Sequence, residues 1–181
     1  MFSQPLLSPS NRAVGQVVEW LVWPAIVGHA DRTTHVFLPL DDRGVDGIVR
    51  RVDDEAMCAV QVKGRAVISN GGIEAVVNRN ALDDPRVTFV MAYLDPPTIR
   101  LGEDVYVMDA GTVLELGSHS PNRTNPEVGL FLPYPPRPGS KSWPYTCQLN
   151  DLSTRLFPSA GVPRPARTAC AYPPQYAGSR Y

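Results

Sequence analysis

Cysteine is scarce in this chain of 181 residues: Cys58, Cys147 and Cys170 are the only three, and no two form a CxxC pair. An odd count without paired spacing argues against a disulfide framework and against a zinc knuckle. The thiols are left to packing, the usual fate of free cysteine. Histidine is equally thin, and His29, His35 and His119 share no metal-ligand spacing. No stretch reaches the roughly 18 apolar residues that a membrane span needs. The opening MFSQPLLSPSN lacks the basic segment and apolar block of a signal peptide. These absences lead to the expectation of a soluble, cytoplasmic protein in a reducing setting. A global charge excess is missing too. The net charge is -1, so no overall basic character announces a nucleic-acid partner.

What is present fits one globular core. Charge and proline are unevenly spread, however. Residues 1–117 carry 10 Lys/Arg against 16 Asp/Glu, and residues 118–181 carry 7 against 2. Twelve of the 19 prolines fall in 118–181, a density that predicts no long helix and no central strand there. The domain reading is therefore a patterned body, 1–117, and a Pro-rich, basic, aromatic extension, 118–181, that wraps the body or a partner. Within the extension, NDLSTRLF reads as one helix.

In the body, Val14, Val17, Val18, Leu21, Val22 and Ala25 follow helical spacing. The spacing predicts a helix to about residue 29, ended or kinked at Pro24, with Ser8, Ser10 and Asn11 as candidate caps. THVFLPL reads as a strand and DDRG as a turn. Val45–Val52 and Cys58–Ile68 read as two strands joined through DDEAM. Asn70-Gly71-Gly72 reads as a turn and GGIEAVVNRNAL as a short helix. Arg86–Leu94 and Val105–Ala110 read as strands, with a further short one at Thr98–Leu101.

The hairpin around DDEAM carries the chemistry. With its turn centred near Asp54–Glu55, Asp46 falls opposite Lys63 and Ile48 opposite Gln61, and Gln61 and Lys63 share a face. A plain Asp46–Lys63 cross-strand pair is one outcome. The other is metal-assisted phosphodiester hydrolysis. A hard divalent cation takes oxygen ligands, and Asp46, the Gln61 amide and the Val62 main-chain carbonyl offer them. Lys63 would hold the attacking water and oppose charge developing on the phosphate.

The upstream helix bearing Glu19, then Asp46, then Gln61-Val62-Lys63, resembles the PD-(D/E)XK nuclease superfamily. The spacing GVDGIV…AVQVKGR is similar to that of Holliday-junction resolvases and small intron-encoded nucleases of that group. The resemblance covers about residues 11–110. It implies an α/β, restriction-endonuclease-like fold, a central mixed β-sheet flanked by helices, here with an irregular Pro-rich C-terminal extension. It also implies Glu19 as a helix acid at the metal site, Arg65 and Arg43 as phosphate contacts, Mg²⁺ or Mn²⁺ as cofactor, and duplex or branched DNA as substrate. A homodimer, with the extension as its dimer arm, would let both strands be cut. The sequence departs from the pattern twice: Val45 stands where proline is usual, and Gln61 where an acid is usual. The alternative is a catalytically inactive module on the same scaffold that binds nucleic acid or protein.

Overall fold

In the computed structural model, residues 11–30, 33–39, 44–119 and 127–157 are described. The first element is helix α1, Asn11–Gly28. Val14, Val18, Val22, Trp23 and Ile26 form its buried stripe, as the helical spacing predicts. Pro24 lies inside the helix and does not end it. A proline there withholds a hydrogen bond from the carbonyl four residues earlier, Trp20. Pro24 and Trp20 both sit on the exposed face, where water can take that bond. Among the described residues, no helix is long and apolar enough to cross a membrane.

Strands β1 (Thr34–Phe37), β2 (Gly47–Arg51), β3 (Met57–Arg65), β5 (Val87–Asp95), β6 (Arg100–Asp109) and β9 (Thr146–Gln148) form a mixed sheet in the order β1-β2-β3-β5-β6-β9. Only β3 and β5 run parallel. A parallel pair needs a crossover, and β4 (Gly72–Asn78) with a 3₁₀ turn at Arg79–Leu82 supplies it. β4 opens a second sheet, β4-β8-β7, with β8 at Glu127–Pro133 and β7 at Ser118–His119. Helix α2 (Ala110–Leu116) packs between the two sheets' ends, and α3 (Leu152–Leu156) packs beside α1.

The central sheet is thus covered on both faces. Val49, Val60, Val62, Val90, Ala92, Leu94, Val105 and Val107 meet α1 and α3. Phe89, Met91, Tyr106 and Met108 meet Ile73, Ala75, Val77, Val128, Leu130 and Leu132 of the second sheet. Alternation along each strand sends neighbouring residues into different cores. Strands covered on both faces lose the apolar-polar alternation that marks a half-exposed sheet.

Four expectations are corrected. GGIEAVVNRNAL is no helix: Gly72–Asn78 is strand β4, with Ile73, Ala75 and Val77 inward and Glu74, Val76 and Asn78 outward. The stretch from Thr98 to Ala110 is not two strands, because β6 runs unbroken from Arg100 to Asp109. The β2–β3 register pairs Ile48 with Ala59 and Gly47 with Val60, two residues away from the register expected. The turn closes earlier, with Arg51 N–H donating to Ala56 O at 2.9 Å. By contrast, the Asn70-Gly71 turn is as expected: both residues have positive φ, and Ser69 and Gly72 exchange backbone hydrogen bonds, the geometry of a tight primed hairpin. The described part of the extension, 127–157, packs on the body. It does hold a central strand, contrary to expectation: β8 pairs along all of β4 on one side and with β7 on the other, its run Glu127–Leu132 being free of proline; β9 extends the central sheet, and Leu152, Leu156 and Phe157 enter the α1 core.

Two glycines let α1 lie close on the sheet. A methyl group at Gly47 would sit 2.7 Å from the Trp23 ring, and one at Gly64 would sit 2.5 Å from Val18 Cβ. Gly64→Ala should cost about 1–3 kcal/mol, the usual range for overpacking. Val18→Ala in the same molecule should recover part of that loss, so urea unfolding of the two single variants and the double variant should show favourable coupling. A chain ending at Gly117 lacks β8 and uncovers Ile73, Ala75 and Val77. It should show no cooperative unfolding transition by circular dichroism, whereas a chain ending at Phe157 should keep one.

Candidate active site

β2 and β3 pair only as far as Gly47 and Val60. One residue before Gly47, Asp46 still donates its N–H to Val60 O at 2.9 Å. Beyond that point the ladder stops, and a side chain replaces it. Asp46 Oδ2 accepts the Val62 N–H at 2.6 Å. The N–H and C=O of one strand residue point to the same side of the strand, so the Val62 carbonyl faces the same gap. A hydrogen bond to a charged acceptor contributes about 1.5–3 kcal/mol, enough to hold the Asp46 carboxylate in one place.

The gap is the floor of a cleft of about 430 Å³. Glu19 and Arg12 of α1, Asp46, and Val62, Lys63 and Arg65 of β3 line it. The local chain explains the convergence. Val18 lies against Gly64, which brings the next helix residue, Glu19, to the β3 edge. Lys63 and Arg65 alternate with Val62 and Gly64, so they leave β3 on the face away from α1. They reach the same cleft because, among the described residues, no strand pairs with this part of the β3 edge.

Arg65 is tied to backbone. Its Nε donates to Glu74 O and its Nη1 to Gly64 O at 2.8 Å. Burial draws its guanidinium below the ordinary arginine value, and the charge of Glu74 offsets part of that. Arginine remains a cation under such a shift. Gln61 is the expected site residue that does not line the cleft. It is only 5% exposed, and its amide lies beside Gly44 and the second core. Among the described residues its Oε1 is buried without a hydrogen-bond partner. Arg43 lies outside the described residues. Sequence reasoning missed Arg12 and Gln16, which also borders the cleft. With Glu19 they are spaced 12, 16, 19, one helical face, and that polar stripe was there to be found.

The donor set can be tested against a metal. No group of three or more His, Cys, Asp or Glu that could hold an ion occurs among the described residues. Two carboxylates and a main-chain carbonyl suit a cation that uses few protein oxygens and keeps its waters, as Mg²⁺ does. They do not suit zinc, which takes nitrogen and sulfur ligands.

No protein-family model matches the chain, and no curated protein does. Among solved structures, that of D212, a nuclease from a fusselovirus, is similar at a TM-score of 0.44 and 9% identity, over 86% of this chain and 95% of that one.

Asp46→Asn keeps an acceptor oxygen for the Val62 N–H, and Asp46→Ala removes it. The alanine variant should be less stable than the asparagine variant by about 1–3 kcal/mol, the cost of an unsatisfied buried donor. The difference in urea midpoints at constant slope measures it.

Proposed function

We propose that this chain is a metal-dependent DNA endonuclease of the PD-(D/E)XK type, hydrolysing phosphodiester bonds in the cleft at the open β3 edge. The observation that carries the reading is the meeting of Glu19, Asp46, the Val62 carbonyl side and Lys63 in one cleft, with Asp46 locked to Val62. Asp46, Glu19 and the Val62 carbonyl would hold Mg²⁺. When bound, the ion lowers the pKa of a water and neutralises charge on the phosphate.

The side chains supply the rest. Asp46 is pre-ordered by its hydrogen bond, so little conformational freedom is lost on loading the site. Lys63 places an ammonium where it donates to the attacking oxygen and opposes charge that grows on the phosphoryl oxygens. Arg65, braced on two carbonyls, presents a fixed cation to the phosphate. The water gives up a proton to solvent in the open cleft as its oxygen bonds to phosphorus, the bond to the leaving sugar oxygen breaks, and that oxygen takes a proton from solvent.

One observation favours the second reading, a non-catalytic binding module. Gln61 is withdrawn from the cleft, which leaves two side-chain acids and no third oxygen donor from that position.

Plasmid, branched and single-stranded DNA incubated with the protein and Mg²⁺ or Mn²⁺ should be cut. Lys63→Ala should cut at least about 100-fold more slowly, the scale of losing one electrostatic partner of the transition state, with an unchanged thermal melt. Asp46→Asn should abolish Mn²⁺ binding by titration calorimetry. Equal cutting by Lys63→Ala sinks the catalytic reading. DNA or protein binding without metal binding that depends on Asp46 establishes the second one.

A further inference from the structure

The cleft continues onto the second sheet. β4 is an edge strand of that sheet, and Val76 on it borders the cleft. Directly paired residues of an antiparallel ladder share a face. The outer face therefore carries Glu74 opposite Phe131 and Val76 opposite Gly129, while the inner face is core. Phe131 is 50% exposed and Val76 39%.

Phe131 is supported from beneath. Its ring lies across Gly72, where an added methyl would meet Phe131 Cζ at 2.6 Å. The Arg137 guanidinium lies across the adjacent Gly71, at 2.6 Å from Nη2 by the same measure. Both groups rest on bare backbone, over consecutive glycines at one end of β4. A half-open aromatic ring held on backbone, a cation over the preceding glycine and a cleft bordered by Val76 of the same strand that holds Arg12, Lys63 and Arg65 are the elements of a base-stacking platform. The acids of this outer face are Glu74, opposite Phe131, and Glu127, opposite Asn78 at the end of the ladder away from Gly72, and the charge of Glu74 is felt by Arg65. The phosphates of a bound strand would therefore pass on the Arg137 side.

A duplex keeps its base faces stacked inside, so only an unpaired strand can offer one to Phe131. We propose that the outer face of β4 and β8 is the second half of the DNA-binding surface. Phe131 stacks on a base there, Arg137 meets the adjoining phosphate, and the substrate has an unpaired strand running from the cleft onto this face. The choice of DNA as ligand rests on the endonuclease reading.

The test uses the full chain with EDTA in place of metal. It is titrated into a fluorescein-labelled single-stranded oligonucleotide, and into the same sequence as a blunt duplex, with anisotropy as the readout. The single strand should bind more tightly than the duplex. Phe131→Ala should weaken single-strand binding by roughly 5- to 150-fold, the range for one stacked base, and leave duplex binding unchanged. Phe131→Tyr, which keeps the ring and controls for folding, should bind like the parent. A single strand bound no better than the duplex, or no loss in Phe131→Ala, overturns the proposal. Cleavage in Mg²⁺ separates the two claims. If the parent cuts DNA while Phe131→Ala binds the single strand normally, the platform falls and the nuclease reading stands. If the parent cuts nothing while Phe131→Ala loses the strand and Phe131→Tyr keeps it, the nuclease reading falls and the platform stands.

Discussion

At the point where β2 leaves β3, the carboxylate of Asp46 takes over from the strand ladder by accepting the Val62 N–H. This substitution satisfies a donor that would otherwise face the gap, and it lets the chain before Asp46 turn away from the sheet. Among the described residues, no strand then pairs with the β3 edge from Val62 onward, and the cleft lies along it. The same bond fixes the carboxylate at the cleft floor. One interaction thus opens the site and orders its main anion, which ties local stability to chemistry.

The other walls follow from close packing. Gly47 and Gly64 let α1 approach the sheet to a distance that any side chain would forbid. Val18 fills the space over Gly64, and the next residue, Glu19, is delivered to the gap. Charge is arranged locally rather than globally. The body of the chain is acidic, yet the cleft gathers Arg12, Lys63 and Arg65 around Glu19 and Asp46. A cleft focuses the field of its own lining, so an overall charge near zero says little about the sign a phosphate would meet there.

Much of this was legible in the sequence. The helix stripe through Val14, Val18 and Val22 followed from periodicity, the pairing of an Asp46 strand with a Lys63 strand from the short turn between two strand-like runs, and the α/β mixed sheet from the resemblance. Boundaries and registers did not. β4 was hidden because Ile73, Ala75, Val76 and Val77 give no clean period: its ladder partner β8 is about 50–60 residues away, and its inward face is set by packing on Phe89, Met91, Tyr106 and Met108. β6 looked broken because Arg100–Asp104 is polar. There β5 and β6 shift register between Ala92 and Leu94, so the first half of β6 is largely exposed while the second half is core. The Asp46–Lys63 hairpin was placed on the correct faces because the true register differs by two residues, which preserves alternation. The Asn70-Gly71 turn was readable because only a few residues tolerate positive φ in succession.

Gln61 shows what face assignment leaves out. It shares a face with Lys63, yet Lys63 reaches the cleft and Gln61 does not. Lys63 stands beyond the end of the β2–β3 ladder, where a long side chain can turn back to the open edge. Gln61 stands where the second core closes over β3, beside Phe89 in the parallel register. An ionised carboxylate at a position so buried would have to be desolvated without a paired cation, at a cost of several kcal/mol, and it would take up a proton instead. A neutral amide fills the position at the smaller cost of one unpaired acceptor, about 1–3 kcal/mol. A neutral side chain at residue 61 therefore suits the packing of this fold: with the second sheet drawn over it, an acid there would be driven toward its neutral form.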